Sequence, residues 1–183
     1  DRLRQQIVYN ESREILRSLA VLARQRYDLK PGPEVDEVID QLYDSINNGV
    51  YRCGFATSQS AYDEACSQLF QALDYWEHVL SKQPFAAGGH FSEADICFFT
   101  TLLRFDPVYG VHFKCSYKRI IDYPNLWAYL RSIYQLPGVA GEPHAKVAIL
   151  GIGFGHGLHR PGLVSAPSGC QRDGSHQRRD GTR

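Results

Sequence analysis

Methionine is missing from all 183 residues. A chain without it does not begin at a native translation start, so a processed product, a trimmed chain or a fragment is expected. No apolar run approaches the ~20 residues a membrane span needs, which excludes a transmembrane helix. No charged-then-apolar leader pattern stands at the N-terminus. A Cys-x-x-Cys pair is also missing. The five cysteines, Cys53, Cys66, Cys97, Cys115 and Cys170, are odd in number. That argues against a disulfide framework or a zinc site, and for a reducing, cytoplasmic compartment. Strand-type alternation does not occur in residues 1–140.

What is present is an ordinary globular composition, 43% apolar and 22% charged. The net charge of +0 hides an asymmetry: residues 1–140 carry 14 basic and 17 acidic side chains, residues 141–183 carry 6 and 3. A weakly acidic body has no electrostatic footprint for nucleic acid. Nine of the 16 glycines fall in residues 141–183, a composition that reads as a divergent, disordered tail.

Helical periodicity organises the rest. Residues 10–25 read as a helix with Ile15, Leu19 and Leu22 on one face and Asn10 as cap. Lys30-Pro31-Gly32-Pro33 breaks the chain. The next helix carries Val35, Val38, Ile39, Leu42 and Ile46, and is expected to end at Asn48-Gly49 with glycine left-handed. An irregular stretch is expected from Val50 to Thr57. A long helix then runs from Ser58 or Ser60 to about Lys82, with Tyr62, Cys66, Leu69, Leu73, Trp76 and Leu80 as its seam. Ser92-Glu93-Ala94-Asp95 has capping-box spacing and opens a helix buried on most sides, which Asp106-Pro107 is expected to stop. Pro124 opens a last helix bearing Leu126, Trp127, Leu130 and Ile133. The pattern predicts an all-α bundle of about five helices.

Two strings are more specific. Asn47-Asn48-Gly49-Val50-Tyr51-Arg52-Cys53-Gly54-Phe55-Ala56 and Arg104-Phe105-Asp106-Pro107-Val108-Tyr109-Gly110-Val111-His112-Phe113-Lys114-Cys115 resemble the glutathionyl-hydroquinone reductases, the Xi class of omega-like glutathione transferases. The resemblance runs from about Ile7 to Ala140. It implies a thioredoxin-like domain that binds glutathione and carries a catalytic Cys-Pro motif, joined to an all-helical glutathione transferase C-terminal domain. On that pattern residues 1–30 are the remnant (last strand and helix) of the first domain, residues 31–140 the helical domain, and residues 141–183 the tail. No Cys-Pro pair occurs in the chain, so the chain alone is expected to be inactive. The alternative is a non-catalytic helical interaction module or a truncated gene product.

The resemblance implies that Glu11 and Ser12 hold the γ-glutamyl end of glutathione, the co-substrate. A helix N-terminus favours a carboxylate, Ser12 adds a donor, and Glu11 accepts from the ligand's ammonium. Without the resemblance, both merely cap a helix. It likewise places Tyr51 and Tyr109 in the pocket for a small quinol or glutathionyl conjugate. A phenol hydrogen-bonds a ring hydroxyl and can deliver a proton. Taken singly, two of eleven tyrosines would be read as core residues. A third pocket tyrosine is expected near position 152, where Ile152 stands. The family also implies a homodimer of the full-length parent. None of the chain's own cysteines reads as the nucleophile. Cys53 lies nearest the pocket string, while Cys66 and Cys97 read as buried, inert thiols.

The tail's other patterns are weak. Gly151, Gly153 and Gly155 imitate a dinucleotide loop, but His156 stands where glycine is required and no helix follows. His144, His156 and His159 have no carboxylate or thiol beside them, so no metal site is expected. Pro161-Gly162-Leu163-Val164 echoes the family's tail. The abrupt change after about Ala140 favours a shifted reading frame over divergence. Resequencing the transcript across codons 138–150 is expected to show the shift, and an intact frame would sink the idea.

Overall fold

The computed structural model describes residues 11–23 and 32–139, together with Ile7. Within them lie α1 (Ser12–Ala23), α2 (Pro33–Leu42), α3 (Gly49–Gly54), α4 (Gln59–Leu80), α5 (Glu93–Arg104), α6 (Gly110–His112) and α7 (Pro124–Tyr134). No strand occurs among the described residues; an isolated bridge pairs Phe85 with Gly88. The all-α class follows. No helix among these residues is long and apolar enough to cross a membrane. Asn10, Cys170 and the whole expected tail lie outside the described residues.

The core forms where apolar stripes meet. α4 packs against α3 on one side and α7 on the other, while α2 lies on α5. Tyr62, Cys66, Leu69, Leu73 and Trp76 are buried along the predicted seam of α4. Each large apolar side chain so placed contributes about 1.5–3 kcal/mol against an exposed reference. Ser58 caps α4, its hydroxyl accepting from the Ala61 amide at 3.2 Å. Glu77 on α4 caps α7 from outside. Its carboxylate accepts from the Asn125 amide at 2.9 Å and the Leu126 amide at 2.8 Å, where the helix N-terminus favours negative charge.

Asp95 is the polar centre of the bundle. It is fully buried. One oxygen accepts from the Ala86 amide at 2.8 Å and the Tyr129 hydroxyl at 2.7 Å. The other accepts from the Ser92 amide at 2.7 Å and the Ser92 hydroxyl at 2.9 Å. The acid three residues past the cap thus returns a bond to the cap amide, as its spacing predicts. It also ties the preceding loop and α7 to α5.

Two expectations about helix ends are corrected. The chain does not turn irregular after Asn48. A wide turn over Tyr43–Asn47, closed by the Asn48 amide on the Tyr43 carbonyl at 2.7 Å, leads directly into α3. Gly49 is helical, not left-handed, because Val50 and Cys53 bury one face of α3 against α4. Asp106-Pro107 does not stop the chain after α5 either. A second wide turn, Phe105–Tyr109, carries it into α6. Proline lacks an amide hydrogen and clashes with the carbonyl four residues back, and a widened turn relieves both. Asp106 instead caps the short helical turn Ile120–Asp122, accepting from the Ile120 amide at 2.7 Å.

Two burial expectations also change. Cys97 is half-buried rather than buried. On α1, Ile15 and Leu19 are 42% and 55% exposed, so these two positions of the predicted stripe are not buried against the bundle. α1 is held by charge instead: Arg13 pairs with Asp40 at 2.6 Å and Asp36 at 3.2 Å, and Arg17 pairs with Asp36 and with buried Glu93.

Asp95→Ala strands the Ala86 amide and the Tyr129 hydroxyl in the core. A loss of about 3 kcal/mol or more is expected, read by urea denaturation with circular dichroism. A loss below about 1 kcal/mol, an ordinary surface effect, would contradict the role given to Asp95.

Candidate functional site

The two wide turns bring one site together. α3 leaves the first turn and presents Tyr51 and Phe55, one helical turn apart, at the surface. Their rings stack at 6.3 Å between centroids with 13° between planes. The second turn ends at Tyr109, which is buried. The Tyr51 and Tyr109 hydroxyls stand 3.5 Å apart, within hydrogen-bond reach, and the rings meet edge-on at 5.8 Å. Both tyrosines expected in the pocket are therefore neighbours, although 58 positions separate them.

Phe113 closes the group. Its centroid lies 5.3 Å from Tyr51, 5.4 Å from Tyr109 and 5.5 Å from Phe55. It gets there because Gly54 has no side chain. A Cβ at Gly54 would stand 2.3 Å from the Phe113 ring, far inside contact distance. The chain then turns sharply at Lys114, which has φ +59°. That strained residue is held from both sides: its carbonyl accepts from the Tyr62 hydroxyl at 2.6 Å, and the Cys115 amide bonds back to the Tyr109 carbonyl at 3.1 Å. Arg104, in the last turn of α5, sets its guanidinium carbon 5.9 Å from the centre of the Tyr109 ring.

Burial and the bond to Tyr51 push the Tyr109 phenol well above its ordinary value, against the opposing pull of Arg104. Tyr109 therefore keeps its proton at neutral pH and acts as a donor. Beneath the aromatic group lie Cys53, Cys66 and Cys115, all buried. Hydrogen bonding to Cys115, partly offset by Cys66 and reinforced by burial, raises the Cys53 thiol to about 12. Its hydrogen bond to Cys53, with burial, pushes the Cys66 thiol up further still. Thiols so placed are not thiolates and are poor nucleophiles. No group of His, Cys, Asp or Glu among the described residues is arranged to hold a metal ion.

Glu11 and Ser12 sit exposed at the start of α1, where the Ile15 amide bonds the Glu11 carbonyl at 3.1 Å. Among the described residues no hydrogen bond or ion pair joins them to the two tyrosines. Phe55, Phe113, Gly54 and Arg104 complete the aromatic site and were not singled out by sequence. Their signal was present: all four lie inside the two unusual strings, and Tyr51 and Phe55 have helical spacing.

Residues 59–132 match the glutathione S-transferase C-terminal domain. Over these residues the chain belongs to the glutathione S-transferase C-terminal domain family. Its relatives include the glutathionyl-hydroquinone reductase YqjG of Escherichia coli, 46% identical over 76% of this chain and 45% of that protein. Another is the glutathionyl-hydroquinone reductase PcpF of Sphingobium chlorophenolicum, 44% identical over 69% of this chain and 42% of that one. The chain thus spans under half the length of these relatives. The glutathione-bound structure of YqjG superposes with a TM-score of 0.70 at 45% identity, covering 76% of this chain and 48% of that one. A Xi-class transferase from Natrialba magadii gives a TM-score of 0.72 at 46% identity, covering 79% of this chain and 46% of that one.

Two outcomes test the site. Gly54→Ala drives a methyl group into the Phe113 ring and is expected to lower stability by about 1–3 kcal/mol, with loss of the Tyr51–Phe113 ring-current shifts in proton NMR. A raised thiol favours the folded state fully below the unfolded value of 9.0, and that contribution fades as pH climbs toward about 12. Stability is therefore expected to fall across that window and Cys53 to resist alkylation in the native protein at pH 8. Rapid native labelling of Cys53, located by mass spectrometry, would contradict it.

Proposed function

We propose that this chain forms the quinol-side wall of a glutathionyl-hydroquinone reductase. The carrying observation is the pair of phenols, Tyr51 and Tyr109, 3.5 Å apart in an aromatic cluster, in a chain 46% and 44% identical to two glutathionyl-hydroquinone reductases over the matched lengths. Glutathione is the co-substrate. Glu11 and Ser12, exposed at the N-terminus of α1, are the groups assigned to its γ-glutamyl end, and residues 1–30 are assigned to the end of a thioredoxin-like domain.

The reaction is thiol exchange. A cysteine thiolate attacks the sulfur of the glutathionyl-hydroquinone and forms a mixed disulfide. The pair of electrons of the broken carbon–sulfur bond stays with the ring carbon, which takes up a proton. A phenol that holds its proton, as Tyr109 does, is suited to supply it. A second glutathione then resolves the mixed disulfide. The attacking thiolate is not one of the chain's described cysteines: Cys53, Cys66 and Cys115 are buried, and burial raises the Cys97 thiol as well. The 183 residues alone are therefore expected to bind quinol conjugates without turning them over.

Titration with glutathionyl-menadiol, followed by calorimetry, tests the reading. Tyr51→Phe removes one hydrogen bond and is expected to weaken binding three- to tenfold, from about 1 kcal/mol. Absence of binding to the unmutated chain, or robust turnover by it, would overturn the assignment.

A further inference from the structure

Arg104 borders the aromatic site and forms no ion pair among the described residues. Arg104 uses its Nε to donate to the Thr100 carbonyl at 2.8 Å. Among the described residues no carboxylate forms an ion pair with it. It is half-buried, and its flat guanidinium lies beside the Tyr109 ring. The groups that bear on the Tyr109 phenol are Tyr51, Arg104 and Cys115, and no carboxylate is among the causes of its shift. A partly buried arginine left without a counter-charge is costly, and a ligand anion relieves that cost.

The walls define what kind of anion fits. Tyr51, Phe55 and Phe113 offer ring faces and edges, which suit a flat aromatic ring. Beside these rings stand the Tyr51 and Tyr109 hydroxyls, 3.5 Å apart, and the Arg104 guanidinium, 5.9 Å from the Tyr109 ring centre. We propose that the site takes its aromatic ligand as the phenolate, with Arg104 and the Tyr51–Tyr109 hydroxyls converging on the ring oxyanion. This rests on the reading of the recess as the quinol pocket and adds the ionisation state of the bound ring and the residue that selects it. Arg104 is thereby a specificity-determining residue: in a medium less polar than water its attraction for an oxyanion is strengthened. Conjugates whose ring hydroxyl ionises more readily are bound in preference to others of the same shape.

The probe is 4-nitrophenol, which ionises near neutral pH and whose phenolate is coloured, with 4-nitroanisole as the neutral analogue of the same shape. Each is titrated into the full chain across the ionisation range of the phenol. Binding of the phenolate at least tenfold tighter than that of 4-nitroanisole is expected, with the bound phenol ionising at lower pH than the free one. Arg104→Met is expected to remove that preference and Arg104→Lys to keep most of it, with circular dichroism confirming the fold. If Arg104→Met fails to fold, Arg104→Gln takes its place. Equal binding of phenolate and anisole, or a preference that survives Arg104→Met, overturns this inference while leaving the pocket reading intact. Failure of both probes to bind the unmutated chain overturns the two together.

Discussion

Four hydrogen bonds to the buried carboxylate of Asp95 hold the frame on which everything else is placed. The carboxylate is fully removed from water and satisfied by two amides and two hydroxyls. Such a group is stabilising only when every partner is present, because an unpaired acceptor at that depth costs more than a single bond returns. Asp95 fixes the start of α5, the loop through Ala86, and α7 through Tyr129. With its start anchored, α5 delivers its far end, and with it Arg104 and Tyr109, to one defined place.

At that far end the fold trades regularity for position. Both wide turns widen the helical winding by one residue; the first leads into the helix that carries Tyr51 and the second ends at Tyr109. Wide turns of this kind often accompany functional sites. The Thr101 hydroxyl donates to the Asn47 side chain at 2.8 Å, linking α5 to the first wide turn. Phe113 then packs on the bare backbone of Gly54 and locks α3 against the α5–α6 connection. The buried thiols of Cys53 and Cys66 serve this packing; their raised values mark them as small apolar fillers, not as reactive groups.

Much of the frame was legible in the sequence. The seam of α4, the capping spacing at Ser92–Asp95 and Pro124 at the start of α7 are local signals, and local propensity decided them. The errors fell where tertiary packing overrode a local signal. Gly49 carries a helix-stop signal, yet burial of Val50 and Cys53 against α4 makes it helical. Pro107 carries another, yet a widened turn absorbs the ring. α1 shows an apolar stripe, yet Ile15 and Leu19 on it are exposed and ion pairs join the helix to α2 and α5.

The sequence by itself determined the helical class, the capping residues and the two strings that contain Tyr51 and Tyr109, because these depend on near neighbours along the chain. Only the tertiary structure decided that the two phenols stand within hydrogen-bond reach, that Phe113 occupies the space Gly54 leaves open, and that the Arg104 guanidinium lies beside the Tyr109 ring with no ion pair among the described residues. The first two are relations between residues more than fifty positions apart. They arise from the crossing of α3 and the α5–α6 connection over a shared core, which no local pattern encodes.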